Sequence, residues 1–491
     1  MCTSPSKMLN PDSFSVSTQG KPKVLIVGAG IAGLMLGILL ERANIPYDIY
    51  ERSAEVKTLG SAVYLGANIT PLFKQIGIYD EFTARGKKCE HMDFFNEKRK
   101  PTFVMDFKAS TFLGGSAGYI IPRSALYDLL LKQVPPHKLH MGKKILSTVQ
   151  GDLGVQIRCS DGSFADGDIL VGADGAYSGV RQNLYEQLKK EGKLPSCDDK
   201  ALPYSCVCLV GQSSPMDPSV VPELTNPLCH YKNIVATDRR YSWSTYTAPD
   251  NVICWSVIQY LDGESAKLND SFRNTEWGAE AAIAMCEDVW DFPLPGGNGN
   301  LTMGDIISNT PQNQISKAIL EEKLFETWYH GRTVLIGDAC HKVHPAGGQG
   351  AAVAMQDAVV LANWLNVLTS KSVKDVEKIF KEYKEESAPI AKLAFDHSRM
   401  IALISAKGVR ASMVRCWIKN MPERQWKSLL SRVVCYRPQV SFLPLIKDTG
   451  TLTPCYQPSL EKTLAVLRDK GSKISINNDD HDGSETLCTP N

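Results

Sequence analysis

The chain has 491 residues, of which 43 % are hydrophobic and 22 % charged, with a net charge of +1 at neutral pH. That length accommodates two or three domains around a large core, and the composition is that of a soluble globular enzyme. So even a charge balance predicts no polyanion-binding surface and no nucleic-acid partner. The fourteen cysteines are scattered, Cys206 and Cys208 forming the closest couple, so neither a zinc nor a disulfide framework is expected and a reducing compartment is.

Residues 1–20 are rich in Ser and Pro without an apolar signal-peptide core, and they read as a disordered tail, as do residues 471–491. The apolar run Val24 to Val27 is too short for a helix and reads as a buried parallel strand. Gly28-Ala29-Gly30-Ile31-Ala32-Gly33 follows, with the G-x-G-x-x-G spacing of a dinucleotide site. Gly28 permits a tight turn, Gly30 lets a pyrophosphate approach the backbone, and Gly33 lets the next helix pack on the strand. That helix, from Ala32 to Ala43, turns its N-terminal N–H groups and positive dipole end toward the phosphates. A second strand, Tyr47 to Tyr50, ends on Glu51, placed to accept hydrogen bonds from a ribose. The run from Val24 to Leu40 carries four glycines and is too short for a membrane span. This stretch alone fits NAD as well as FAD.

Further along, a helix is predicted from Asn68 to Ile76, and Arg123 opens an amphipathic helix with Leu126, Leu129, Leu130 and Val134 on one face. Strands are expected over Lys144 to Val149, Val155 to Cys159 and Asp168 to Gly172. From about 200 to 327 the chain turns β-rich, and Tyr241 to Tyr246 and Val252 to Leu261, joined through Pro249, Asp250 and Asn251, read as a hairpin. Helix returns at Gly350 to Leu368 and over most of 371–431.

Two further motifs follow apolar strands. Gly172-Ala173-Asp174-Gly175 makes a tight turn, after which Ser178 is a candidate helix cap. Gly337-Asp338 closes the strand Thr333 to Ile336, and a loop through His341, His344 and Pro345 reaches Gly348-Gln349-Gly350 at the start of a long helix. A carboxylate at a strand end suits a hydroxylated chain, and a helix N-terminus suits a group that becomes anionic, as the edge of a reduced flavin ring does.

In order and spacing, the Gly28/Gly30/Gly33 fingerprint, Asp174-Gly175 and Gly337-Asp338 resemble those of single-component (group A) FAD-dependent monooxygenases. These include p-hydroxybenzoate and salicylate hydroxylases and the fungal meroterpenoid and indole-diterpene epoxidases. The resemblance spans about residues 21–400, and Arg437 to Pro444 resembles a segment of some fungal members. It implies that Gly28, Gly30, Ala32, Gly33 and Glu51 hold the adenosine and pyrophosphate of FAD, with Arg52 and Arg123 near the cofactor. Asp174 and Gly175 would serve FAD and NAD(P)H, Asp338 the ribityl and pyrophosphate portion, and Gly348, Gln349 and Gly350 the flavin ring. Ala352 departs from the asparagine common in the family. The implied reaction uses NADH or NADPH and O2 to hydroxylate or epoxidise a hydrophobic or aromatic small molecule through a flavin C4a-hydroperoxide. A reductase, dehydrogenase or halogenase on the same scaffold, or a flavin-binding protein without turnover, stays open at this point.

The expected fold is α/β. A discontinuous Rossmann-like FAD-binding domain (21–185 and 328–400) is interleaved with a β-rich substrate domain (186–327), and a helical extension follows (401–470). His341 and His344 are candidate acid/base groups, with no metal expected. Trp243, Tyr246, Trp255 and Tyr260 are candidates for a substrate pocket or for core, and Arg239-Arg240 for an anion contact or a solvated hairpin tip. The segment 397–436 interleaves apolar and basic residues, so it fits either packing over the FAD-binding domain or a peripheral contact with an intracellular membrane. No run is long enough to span a bilayer, and a cytoplasmic location is expected.

Overall fold

The structure is a computed structural model that describes residues 20–55, 60–236, 240–261, 279–297, 299–406, 408–469, 471 and 476–477. The two terminal tails lie almost wholly outside the described residues, and Arg239 lies outside them as well.

Strand Val24–Val27 is buried at every position and sits inside a six-stranded sheet. It pairs in parallel with Tyr47–Tyr50 on one side and Ile169–Gly172 on the other, and the latter pairs in parallel with Thr333–Leu335. Helices Ile31–Arg42 and Gly350–Val367 pack against one another, with leucine, alanine and valine contacts throughout. Each of the three motif-bearing strands is therefore a neighbour of the next, and all run the same way. Their following turns must emerge together at the carboxyl edge of the sheet, where open parallel sheets bind ligands.

A second, seven-stranded sheet has the order Ser316–Glu321, Tyr204–Gln212, Ile253–Tyr260, Tyr241–Thr247, Tyr231–Val235, His91–Asn96, Pro101–Asp106. The hairpin over 241–260 is present, and its turn carries Asp250 and Asn251 at φ 58° and 59°, the left-handed conformation such a two-residue turn requires. The last two strands come from the segment 21–185, so the chain makes one more excursion into the second layer than the sequence reading allows for. His91–Asn96 joins Tyr231–Val235 in parallel, a pairing that no local pattern announces.

Helices Ala279–Asp288 and Met303–Ser308 cover one face of this sheet around Trp243, Trp255 and Ile234. The other face meets Ala62, Tyr64 and Ala346. It is covered by the end of a 33-residue helix, Val373–Ser405, and by Val409–Lys419. Helix Glu423–Val434 then lies on helix Lys108–Gly114. Arg437, buried and paired with Asp448, anchors the segment that follows.

Candidate active site

Gly28 adopts φ +106°, and a Cβ there would lie 2.4 Å from the carbonyl oxygen of Ala173. A Cβ on Gly33 would lie 2.0 Å from the oxygen of Gly28, so the helix presses directly on the turn. Only glycine meets both demands. At Gly30, by contrast, a Cβ would meet nothing within 4 Å: this position opens outward. The helix beginning at Ile31 has no side-chain cap and no acid in its first turn, which leaves its N–H groups and dipole for an anion.

Glu51 reaches across this turn. One carboxylate oxygen accepts from the Ala29 N–H at 2.9 Å and the other from the Ser53 N–H at 2.9 Å. Arg52 beside it is exposed.

Asp174 caps the next motif's helix together with Ser178: Oδ2 accepts from Gly179 N–H at 2.7 Å, and Ser178 Oγ accepts from Arg181 N–H at 2.9 Å. Gly175 supplies the positive φ of the turn. Asp174 Oδ1 is buried without a partner, and burial pushes the carboxyl up despite these hydrogen bonds. The same helix buries Arg181, whose guanidinium donates to Ala339 O and Ala176 O and lies 4.2 Å from the Phe325 ring centre.

The third motif follows the strand on the far side of Ile169–Gly172 from Val24–Val27, yet its turn comes back to the first helix. A Cβ on Gly337 (φ +60°) would meet Ala354 Cβ at 3.1 Å and Ala32 Cβ at 3.3 Å, so three small residues bring the turn against both long helices. Asp338 is half-buried and pairs with Lys342 at 2.6 Å. Burial pushes its carboxyl up, but Lys342, His341 and Arg123 outweigh that and hold it below its ordinary value. Arg123, exposed at the start of helix Arg123–Leu131, thus acts on the site through its charge.

Gly348 (φ +62°), Gln349 and Gly350 lead into helix Gly350–Val367, which also lacks a side-chain cap. Asn68, buried, donates its side-chain amide to Gln349 Oε1 at 3.2 Å, and Gln356 Nε2 donates to Asn68 O at 3.0 Å. Tyr64 lies beside the same loop: a Cβ on Gly348 would touch Tyr64 Cβ at 3.5 Å. Ala352 is buried and presents only a methyl group. Asn68 and Tyr64 belong to this site but carry no motif that would reveal them in the sequence.

His341 and His344 are both buried, each with one ring nitrogen bonded and the other without a partner. Buried His341 meets Asp357 at 2.5 Å, and Asp357 also accepts from Gly337 N–H at 2.8 Å. Burial works against the imidazolium, but the Asp357 carboxylate wins and holds the imidazole well above its ordinary value. Cys340 completes a group of three potential metal donors, all within 4.8 Å. Its thiol is pushed up by burial and donates to Leu335 O and Gly337 O, while the Asp357 carboxylate is held by His341 Nε2 and the Gly337 N–H. His344 Nδ1 accepts from Ala346 N–H, and burial, reinforced by Lys342, lowers its pKa to about 4.

Of the aromatic candidates, Trp243 and Trp255 lie under the covering helices, donating to Pro293 O and Thr310 Oγ1 respectively, each at 3.0 Å. They are core, not pocket. Tyr246 and Tyr260 lie on the opposite face, bonded to Ser256 and Ser242. Arg240 is exposed at the edge of the hairpin strand.

These features fit one long ligand. Space opens above Gly30, two uncapped helix N-termini flank Asp338, and Asp174 keeps an unpartnered oxygen. An NAD pyrophosphate needs only the first; the second helix suits the flavin end of FAD. The fold and site are therefore those of a flavoprotein oxidoreductase.

Comparison with known proteins agrees. The profile of the FAD binding domain family matches residues 21–198 and 301–398, and the chain belongs to that family. The FAD-dependent monooxygenase ausM of Penicillium brasilianum is 27 % identical over 481 residues, covering 92 % of this chain and 93 % of the relative. The FAD-dependent monooxygenase paxM of Penicillium paxilli is 27 % identical over 446 residues, covering 87 % and 88 %. Among solved structures, Klebsiella pneumoniae HpxO in complex with FAD and uric acid superposes with a TM-score of 0.67 at 18 % identity, over 86 % of this chain and 98 % of that one. The chain is an FAD-dependent monooxygenase.

Proposed function

We propose that this monooxygenase uses NADH or NADPH and O2 to hydroxylate or epoxidise an uncharged, hydrophobic or aromatic metabolite. The observation that carries the substrate class is the sheet face turned toward the flavin loop. Strand alternation and register place Met92, Phe94, Tyr231, Asn233, Ser244, Tyr246, Cys254 and Ser256 on it, while the charged Asp93 and Lys232 fall on the other face. The uncharged face approaches the flavin loop through Ala346 and Tyr64. Those strands place no cationic side chain on that face, so a charged substrate would lose hydration there without a counter-charge to offset it. Apolar surface with a few hydroxyl groups suits a large neutral molecule.

Gly28, Gly30 and Gly33 would hold the pyrophosphate, Glu51 the adenosine ribose, and Asp338 the ribityl chain. Asp174 would meet the cofactor through its unpartnered oxygen, and residues 348–350 would line the ring. Bound FAD supplies the redox chemistry, accepting a hydride and activating O2 for transfer of one oxygen atom. The chain's own part is to orient the acceptor against the ring and to exclude water. The N-terminus of helix Gly350–Val367 would stabilise negative charge on the ring. No second dinucleotide fingerprint occurs, so the nicotinamide nucleotide binds transiently. Work at the cytoplasmic surface of an intracellular membrane, through 397–436, belongs to the same reading.

The test is the visible spectrum of the purified protein, followed by NAD(P)H oxidation in air with neutral prenylated aromatics and with anionic phenols. Substrate-stimulated oxidation with an oxygenated product from the neutral compounds supports the reading. Stimulation only by benzoate-type anions overturns the substrate class, and failure to bind FAD overturns the whole.

A further inference from the structure

Fourteen large hydrophobic side chains are exposed among the described residues, and four of them, Leu403, Val409, Met413 and Trp417, fall within fifteen residues of sequence. Three share one helix, Val409–Lys419, at i, i+4 and i+8, and are 78 %, 66 % and 51 % exposed. At 100° per residue they form one continuous outer stripe. The opposite stripe, Ala411, Val414 and Ile418, packs inward with Ile401, Ile404, Met92 and Phe94. The helix is thus apolar on two sides, one facing the uncharged sheet face and the other facing outward. A helix that only packs on its own domain needs one such stripe.

Charge identifies what the outer stripe meets. Residues 409–434 hold six Lys or Arg and a single acid, Glu423, in a chain whose net charge is only +1. Arg410, Lys419, Arg424, Lys427 and Arg432 are all exposed. An apolar stripe with a tryptophan, bordered by cations, has the composition of a helix lying in an anionic bilayer interface. Among the described residues no helix is long and apolar enough to cross a membrane, so the contact is with the surface.

We infer that helix Val409–Lys419 docks on an anionic phospholipid bilayer, inserting Val409, Met413 and Trp417. A single layer of helix then separates lipid from the sheet face over the flavin loop. A neutral substrate dissolved in the bilayer reaches the site along that helix without crossing water. The docking sharpens the membrane contact of the proposed function, and the substrate route rests on its neutral-substrate reading.

The experiment is co-sedimentation of the full-length, FAD-loaded protein with vesicles of phosphatidylcholine alone and of phosphatidylcholine with phosphatidylserine. Binding to the anionic vesicles that weakens with salt is expected. Met413→Glu with Trp417→Glu should reduce it at least about tenfold while FAD content stays unchanged. Brominated acyl chains should quench tryptophan fluorescence in the wild type, and Trp417→Phe should abolish that quenching. No binding to anionic vesicles, or equal binding by the double variant, overturns the inference. So does a wild-type dimer that the double variant turns into a monomer, because the stripe would then face a second copy. Vesicle binding is read without turnover, so loss of monooxygenase activity and loss of docking are separate outcomes.

Discussion

The Asp357 carboxylate links two parts of the site that are far apart in sequence, and its removal can be followed quantitatively. It accepts from His341 at 2.5 Å and from the N–H of Gly337 at 2.8 Å, with both side chains 1 % exposed. Asp357→Ala would strand a buried imidazole and orphan a backbone donor in the turn that carries Asp338. Breaking one side of a buried pair costs roughly 3–5 kcal/mol. The expected outcome in urea unfolding is a loss of that size, with weaker FAD binding because the Asp338 turn loosens. Asp357→Asn keeps an acceptor for Gly337 but removes the charge that raises the His341 pKa. The native pKa lies above the unfolded value of about 6.5. The pair's contribution is therefore complete below about pH 6.5 and falls away as pH rises through the native pKa. Wild type should show this alkaline decline and Asp357→Asn should lack it. A destabilisation of Asp357→Ala under about 1 kcal/mol, or an unchanged alkaline decline in Asp357→Asn, would refute the reasoning.

His344 gives the mirror image. Its native pKa of about 4 lies below the unfolded one, so stability declines as pH falls from about 6.5 toward 4, and His344→Gln should flatten that slope in acid unfolding curves. Gly28→Ala places a methyl group 2.4 Å from a carbonyl oxygen at φ +106° and should abolish FAD retention on gel filtration. Trp243→Ala empties core and should cost about 3–5 kcal/mol with unchanged FAD affinity per folded molecule. Tyr246→Phe on the other face should leave unfolding nearly unaltered and shift KM for substrate or the fraction of NAD(P)H oxidised without product. If the two aromatic variants exchanged these effects, the assignment of sheet faces would be wrong.

The nucleotide end of the site is legible from sequence because its determinants are local. A strand, a glycine turn, a helix and an acid all fall within Lys23 to Arg52, and the structure keeps them in register. The hairpin at 241–260 is legible for the same reason, since Asp250 and Asn251 announce its turn. What lies outside local pattern is whatever depends on pairing at long range. His91–Asn96 looks like any short strand until Tyr231–Val235 arrives to pair with it. Trp243 and Tyr246 are three residues apart on one strand, so alternation places them on opposite faces, but only the covering helices decide which face is core. His341 reads as a candidate acid or base, yet its role is set by Asp357, which in sequence is one more residue of an alanine-rich helix. Asn68 and Tyr64 reach the Gly348–Gly350 loop from a distant segment for the same reason.

The parallel pairing of His91–Asn96 with Tyr231–Val235 also governs how the chain can be made. On a ribosome, the 91–106 hairpin emerges well before its neighbour strand has been translated. At roughly 5–20 residues per second, one edge of that hairpin stays unpaired for on the order of ten seconds or more. Its outer edge begins at Pro101, which cannot donate there, and its tip carries Lys98, Arg99 and Lys100, features that discourage association with another nascent strand. The inner edge carries one carboxylate, Asp93, and no proline or lysine. That edge can close only once residue 235 is free of the exit tunnel, so the second sheet is completed late in synthesis.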